Sequence, residues 1–398
     1  MGKINLLKEI KELKNQLAYS KNIGFFFGSG TSCALGIPNL EQLTLSIQTS
    51  LKDDFLKQFK LINDDLKITI VGRIPNIEDI LNQIRRIREI TGEKNDKKYL
   101  GIGGDSAKQL DKEICKKIYE IILEKEKIAN LENSKRFFAW LNILSKDFSK
   151  EVFTTNYDLV IEKSLEASNI PYFDGFVGSY EPFFWQESIN KIVTKEDLTQ
   201  NWIRLWKIHG SLSWFWKEDP KTKTPRIVRI GKIEKISDEY NELVIYPSKE
   251  KYDSSRKQPY VAYFDRLNNY LSSGELLFLF SGYSFSDQHI NEIIFNCLRQ
   301  NNRLTVLVFF FKDEEVEALH KLTSSYMNLN VFGPTKGIVN GNLVEWEFTE
   351  TELKATTEKY DHYWNEKEKR LTLGDFNSFV NFLITNSGKK EAIESSVT

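Results

Sequence analysis

Three polar residues of this 398-residue sequence are of types that enzymes use to place water and move protons. Asn156 and Asp158 stand in TTNYD, directly after the strand-like EVF, and His209 stands in KIHGS after IRLW. An asparagine amide both donates and accepts hydrogen bonds, which suits it to orienting a water molecule or an amide. A histidine can act as a general base near neutral pH. Asn156 and Asp158 could equally cap a helix, and a lone histidine is often structural, so both readings stay open.

A glycine-rich turn, GSGTS, follows the aromatic run IGFFF. Glycines let a backbone come close to a phosphate, and the start of a following helix favours negative charge. The turn lacks the lysine of a P-loop and the spacing of GxGxxG, so it could also be a plain strand-to-helix turn. The candidate phosphate-binding residues are Gly28, Ser29, Gly30, Thr31 and Ser32.

A second turn of the same kind, SGYSFSD, follows the apolar run LLFLF. Gly282 would allow close approach of a ligand, and Ser284 could reach a phosphate or a ribose. Asp287 could bind ribose hydroxyls or cap the next helix.

Apolar strands alternate with helical stripes along the chain, which is typical of parallel sheets. We expect a helix over 3–20, strands at 23–27, 151–155 and 303–311, and a loop at 101–105. ELLFLFSGYSF predicts a buried strand that runs into a glycine turn, and residues 203–216 are rich in strand formers but interrupted by His209-Gly210. The fold class predicted is α/β, a Rossmann-like doubly wound parallel sheet. Ligands of such sheets bind beyond the carboxyl ends of the strands, and all four polar motifs fall there.

The domain organisation follows from changes in composition along the chain. Residues 51–150 are rich in Lys, Glu and Ile and predict a helical insertion, which divides a nucleotide-binding domain into 1–50 and 151–312. Residues 313–398 would form a C-terminal α/β extension whose tail, 387–398, is predicted to be disordered.

Composition excludes several classes of protein. Lys and Arg number 55 against 56 Asp and Glu, so direct nucleic-acid binding is not expected, although Arg85, Arg86 and Arg88 could form a local basic patch. No apolar run reaches the length of a membrane span, and we expect a cytoplasmic protein. The cysteines are far apart and predict neither a disulfide framework nor a metal site; they are Cys33, Cys115 and Cys297.

The ordered set GSGTS–GIPNL, TTNYD, KIHGS and SGYSFSD resembles the motifs of the sirtuin-like NAD-binding domain over about residues 20–300. Sirtuins that remove acyl groups usually carry a four-cysteine zinc module after the histidine, and no cysteine lies between Cys115 and Cys297. The sequence therefore looks like the zinc-free bacterial branch, whose members cleave NAD in defence against phage. Proteins of this kind are similar to partners of HerA-type hexameric ATPases.

The resemblance implies that NAD is the substrate and that no metal takes part. It implies that Asn156 positions the attacking water, that His209 contacts the ribose and acts as base, and that Asp158 holds the nicotinamide amide or the ribose. It also suggests a homo-oligomer whose activity is gated by assembly or by a partner. The alternatives are an NAD-dependent protein deacylase and a non-catalytic sensor of NAD or ADP-ribose.

Overall fold

A computed structural model describes most of the chain. The described residues are 2–92, 94–144, 149–190, 201–218, 225–231, 243–245, 258–347, 360 and 362–387.

The helices of these residues are numbered in chain order. They are α1 (Leu6–Tyr19), α2 (Ser29–Cys33), α3 (Leu40–Ser50), α4 (Asp53–Thr69), α5 (Ile77–Thr91), α6 (Gly104–Ile128), α7 (Glu132–Ile143), α8 (Val160–Ala167), α9 (Tyr260–Ser272), α10 (Gln288–Gln300), α11 (Asp313–Thr323) and α12 (Phe376–Asn386), with a short 3-10 turn at Gln186–Ser188.

The strands are numbered in the same way. They are β1 (Gly2–Asn5), β2 (Ile23–Phe27), β3 (Lys98–Tyr99), β4 (Ile102–Gly103), β5 (Lys150–Thr154), β6 (Tyr172–Phe173), β7 (Phe176–Val177), β8 (Phe183–Phe184), β9 (Ile203–Lys207), β10 (Gly210–Glu218), β11 (Pro225–Arg229), β12 (Leu243–Ile245), β13 (Leu276–Ser281), β14 (Leu304–Phe309), β15 (Leu329–Phe332), β16 (Lys336–Val339), β17 (Asn342–Glu347), β18 (Trp364–Asn365) and β19 (Arg370–Leu371).

The main sheet has the strand order β1-β17-β16-β15-β14-β13-β2-β5-β9-β6. Every neighbouring pair from β15 to β6 is parallel, whereas β16 is antiparallel to both of its neighbours. A smaller antiparallel sheet has the order β12-β10-β11-β8-β7. The predicted α/β class with a mostly parallel sheet is confirmed.

Helices cover both faces of the main sheet, because side chains alternate along each strand. In β2, Phe25 and Phe27 join the hydrophobic cluster that also holds buried residues of α1, α7, α8 and α12. Phe26, between them, joins the cluster with α9, α10 and α11. The fully apolar strands that the sequence predicted are thus buried on both sides, as parallel strands with helices on both faces require.

Two local predictions are wrong. The helix predicted over 3–20 begins only at Leu6, because residues 2–5 form β1 and pair in parallel with β17. The predicted loop at 101–105 contains β4 and the start of α6. In both places a partner strand supplies backbone hydrogen bonds that local sequence does not reveal.

The predicted helical insertion contains α4, α5, α6 and α7, and the predicted C-terminal extension continues the main sheet through β15, β16 and β17. Helix α5 is an example of how the sequence of the insertion specifies a helix through its cap and its buried stripe. Asn76 caps its first turn, and Asp79 returns a hydrogen bond to the backbone of Asn76. One stripe of the helix is buried, comprising Ile77, Ile80, Leu81, Ile84 and Ile87. The predicted boundaries themselves stay a prediction, and all but the first residue of the predicted tail lies outside the described residues.

None of the helices in the described part of the chain combines the length and the apolar character that a membrane span requires.

Candidate active site

A cavity of about 390 Å³ opens at the carboxyl ends of the parallel strands, and all four sequence motifs contribute to its wall. This volume lies in the range typical of small-molecule sites. The predicted site residues that line it are Ser29, Ser32, Asn156, Asp158, His209, Gly282, Ser284 and Asp287. Gly28, Gly30 and Thr31 are not part of the lining.

The two glycine-rich turns pack directly against each other beside the cavity. The backbone amide of Gly28 donates to the carbonyl of Ser281 at 3.0 Å, and that of Gly30 donates to the carbonyl of Gly282 at 2.9 Å. A Cβ on Gly28 would lie 2.4 Å from the Gly282 oxygen. Gly282 itself has a φ of +67°, and a Cβ there would lie 2.5 Å from the Thr31 nitrogen. These glycines therefore allow the turns to touch, whether or not they also contact a ligand.

Asn156 is buried, and its amide nitrogen is held from several sides. Nδ2 lies 3.0 Å from the Gly28 carbonyl oxygen, 3.1 Å from Thr31 Oγ1 and 2.8 Å from Ser32 Oγ. A carbonyl oxygen can only accept, so the nitrogen and not the oxygen of the amide must face Gly28. Oδ1 has no hydrogen-bond partner within the described part of the chain. It is the acceptor that Asn156 can offer to a ligand or water in the cavity.

Asp158 is anchored at both carboxylate oxygens. Ser32 Oγ donates to Oδ2 at 2.7 Å, and the Val160 amide, at the start of α8, donates to Oδ1 at 3.1 Å. Asp158 therefore accepts from the first amide of α8, although the N-cap position of this helix is Leu159. Below it, the fully buried Lys207 bonds to the Asp158 carbonyl and lies 2.7 Å from Glu162 Oε1. Asp158 thus fixes Ser32, which in turn holds the Asn156 amide.

His209 and Asp287 form a hydrogen-bonded pair in the wall of the cavity, with Nε2 3.1 Å from Oδ2. Asp287 also caps α10 by accepting from the amides of His289 and Ile290. Burial opposes ionisation of Asp287, but the hydrogen bond and charge of His209 outweigh it and lower the pKa of this carboxyl. An ionised carboxylate only accepts, so Nε2 must carry a proton, and the lone pair of a neutral His209 ring lies on Nδ1.

The two remaining predicted serines lie at the open side of the cavity. Ser29 and Ser284 are exposed, and Ser284 Oγ donates to Ser286 Oγ at 3.1 Å. Both hydroxyls stay accessible to a ligand.

Comparison with known families bears on three of the four motifs. Residues 150–331 match the family model of the SIR2-like domain. The match includes TTNYD, KIHGS and SGYSFSD, whereas GSGTS precedes it. No curated protein matches the chain.

Among solved structures, the chain is remotely similar to several sirtuins. One is described as a Sir2 homologue in complex with NAD, with 14% identity over 75% of this chain and 81% of that one and a TM-score of 0.37. A second, from work on the mechanism and regulation of Sir2 enzymes, has 13% identity over 76% of this chain and 86% of that one and a TM-score of 0.35.

The cavity also has a wall that the motifs did not predict. It comes from the insertion, where Arg73, Glu78, Asp79 and Asn82 line the cavity near the start of α5. The sequence did predict a helix start at Pro75-Asn76. It carried no signal that this start faces the carboxyl ends of strands far away in sequence.

Two of the three arginines considered as a basic patch are engaged in ion pairs with α6, whereas Arg86 is exposed. Arg85 is buried beside Asp111, and Arg88 Nη1 lies 3.0 Å from the same carboxylate. These residues hold α5 against α6.

Within the described ranges, no group of three or more His, Cys, Asp or Glu side chains is arranged to hold a metal ion.

Proposed function

We propose that the protein is an NAD glycohydrolase, which cleaves NAD to nicotinamide and ADP-ribose. The observation that carries the proposal is the environment of Asn156. Its nitrogen is fixed by three acceptors, and its oxygen is left without a partner among the described residues, in a cavity that also holds His209. Holding one acceptor rigidly in place is what positioning a nucleophilic water requires.

The chemistry needs little from the protein besides placement. When the bond between nicotinamide and ribose breaks, nicotinamide leaves as a neutral molecule and the ribose gains oxocarbenium character. No strong acid is needed for this leaving group. Asn156 Oδ1 would accept a hydrogen bond from the attacking water, and His209 would contact the ribose hydroxyls and take up the proton that the water loses. Asp287 would keep the His209 ring oriented.

The remaining predicted residues would bind the rest of the dinucleotide. The turn Gly28–Ser32, through Ser29 and Ser32 at the cavity, would face the diphosphate, with Ser284 opposite. Gly282 keeps the two turns together. Asp158 lines the cavity and would reach the nicotinamide amide or the ribose while it anchors Ser32.

The same proposal includes a role in the cell. We infer that NAD depletion serves antiphage defence, that the protein is cytoplasmic and forms homo-oligomers, and that assembly or a HerA-type ATPase gates its activity. The support for this part is the resemblance of the ordered motifs. A metal is not needed for the proposed step.

The test is NAD consumption with the products separated, for the chain alone and with a HerA-type ATPase added. Asn156→Ala should lower kcat by about 10²–10³-fold, the size of effect seen when a single transition-state hydrogen-bonding group is removed. Asn22→Ala is the matched control, because Asn22 is also a buried asparagine but accepts from Tyr270 at the opposite ends of the strands. It should keep its turnover per folded molecule.

Three other outcomes would count against the proposal. Wild-type turnover by folded Asn156→Ala would remove Asn156 from the mechanism. Release of acetyl-ADP-ribose from an acetylated peptide would identify a deacylase. Binding of ADP-ribose without any NAD loss, in either condition, would favour a sensor.

A further inference from the structure

The charge of the cavity does not suit a dinucleotide as it stands. Four carboxylates line it, those of Glu78, Asp79, Asp158 and Asp287. Among the described lining residues, one side chain carries a permanent positive charge, that of Arg73. The diphosphate of NAD carries two negative charges, so a cation in direct contact would offset its repulsion by these carboxylates.

Arg73 is held by one of those carboxylates. Its Nη1 lies 2.6 Å from Asp79 Oδ2, and its Nη2 lies 2.7 Å from Asp79 Oδ1, a two-pronged pairing. This hydrogen bonding raises the pKa of Arg73, so its charge is secure. A guanidinium uses the same fork to bind a carboxylate or a phosphate.

The position of this ion pair would allow Arg73 to exchange Asp79 for a phosphate of the ligand. The Arg73 side chain is 53% exposed and that of Asp79 is 17% exposed, so Arg73 is the partner that has room to move, and water can replace its hydrogen bonds to Asp79 when it does. Asp79 also accepts a hydrogen bond from the Asn76 backbone at 2.9 Å, as part of the capping box of α5. If Arg73 moved away, Asp79 would keep this bond and the favourable position of a carboxylate in the first turn of a helix.

A second polar group of the insertion has unused hydrogen-bonding capacity beside the cavity. Asn82 lines it, and Asn82 Oδ1 is buried with no partner among the described residues. Buried polar atoms without partners are rare in folded proteins, and a ligand hydroxyl or amide is one way to satisfy this one.

We propose that the insertion is part of the substrate site and that Arg73 binds the diphosphate of the dinucleotide, leaving Asp79 for the ligand. Asp79 is then a competitor that holds Arg73 ready at the cavity before the ligand arrives. The inference rests on the proposed function for the identity of the ligand. It adds a binding residue that lies outside the residues matching the SIR2-like domain.

The experiment measures binding of ADP-ribose and of adenosine to the full chain by calorimetry. Arg73→Ala should weaken ADP-ribose binding about 10- to 100-fold, the range for losing charged hydrogen bonds, and leave adenosine binding unchanged. Arg73→Lys should give a smaller loss, because a lysine keeps the charge but not the fork. Asp79→Asn should bind ADP-ribose as tightly as wild type or more tightly, since the competitor is weakened.

Comparing Arg73→Ala with Asp79→Asn distinguishes a role of Arg73 in ligand binding from a purely structural role. If Arg73 only braced the start of α5, Arg73→Ala and Asp79→Asn would weaken binding alike, and the proposal would be wrong. Arg303→Ala is the matched control, because Arg303 is exposed and precedes β14, at the opposite ends of the strands. Its ADP-ribose affinity should equal that of wild type.

The remaining outcomes are also decisive. Unchanged ADP-ribose affinity in Arg73→Ala, with NAD cleavage intact in wild type, would overturn this inference and leave the proposed function standing. Failure of the wild-type protein to bind ADP-ribose or NAD would overturn both. Thermal melting of each variant establishes that it is folded, and Arg73→Lys keeps the test valid if Arg73→Ala does not fold.

Discussion

Two buried polar side chains, one near the amino end of β5 and one just beyond its carboxyl end, differ in how completely their hydrogen-bonding groups are used. Near the amino end of β5, Glu151 is fully buried, and both oxygens accept hydrogen bonds. Ser149 donates to Oε1, Trp206 donates to Oε2 at 2.9 Å, and Arg266 donates to both. Just beyond its carboxyl end, Asn156 has a fully engaged nitrogen and an oxygen without a described partner.

The comparison shows that burial and polarity alone do not mark a functional residue. Glu151 would look like a catalytic carboxylate if only its type and burial were considered. Its surroundings leave it nothing to offer a ligand, because every acceptor position is used within the protein. A buried polar group indicates a functional site when one of its hydrogen-bonding atoms is unused while its other atoms are held in place.

The largest effect on stability is expected from replacing Glu151, at the amino ends of the strands. Glu151→Ala should lower the free energy of unfolding by up to about 3–5 kcal/mol, because it leaves the largely buried Arg266 charge without its carboxylate. Urea denaturation would measure the change. The double variant Glu151→Leu with Arg266→Met is the control, and it should recover most of the loss, since replacing a buried ion pair with apolar residues is often neutral. A folded Glu151→Ala protein of wild-type stability that no longer cleaves NAD would break the comparison.

A second prediction compares the glycines that flank β13. Gly274 and Gly282 both have positive φ, +81° and +67°, but a Cβ on Gly274 would meet nothing within 4 Å. On Gly282 it would meet the backbone of Gly30 and Thr31 at 2.8 and 2.5 Å. Gly282→Ala should therefore cost about 1–3 kcal/mol more than Gly274→Ala, measured by urea denaturation. It should also impair NAD binding, because it separates the two turns. Equal losses in the two variants would show that the contact between the turns matters little.

The smallest expected effect concerns pH. Folding lowers the pKa of Asp287, so its ionised form stabilises the folded state. This contribution is complete above the pKa of an unfolded aspartate, about 4, and is lost as the pH falls through the lower folded value. The stability difference between wild type and Asp287→Asn should be about 1 kcal/mol at pH 7 and should shrink below about pH 4. Denaturation at several pH values would measure it. His209→Gln should remove most of the same pH dependence, and its persistence there would mean that another group is responsible.

Much of the fold could be predicted from sequence because several strands of the main sheet are continuous apolar runs. IGFFF and LLFLF are long enough and apolar enough to specify strands buried on both faces, and the turns after them follow from their glycines. Strand β1 could not be predicted in this way. Residues 2–5 are exposed or half-buried, and their strand conformation depends on pairing with β17.

The candidate site also has parts that the sequence predicts and parts that depend on tertiary packing. The motifs at strand ends could be identified because a parallel sheet brings its carboxyl ends together. The contribution of Arg73 and Asn82 could not be predicted, because it depends on how the insertion packs against the main sheet. The hydrogen bond between His209 and Asp287 could not be predicted either, since a residue type does not specify which side chain lies next to it.

The pairing of the strands also bears on when the protein becomes active during synthesis. Strand β2 lies between β5 and β13, and β1 pairs with β17, so early segments must wait for late ones before the main sheet is complete. Sheets built from such distant pairings form slowly, after much of the chain has left the ribosome. His209 meets Asp287 only once α10 has begun to form. A nascent chain that has not yet reached α10 would therefore hold an incomplete cavity, without the Asp287 partner of His209.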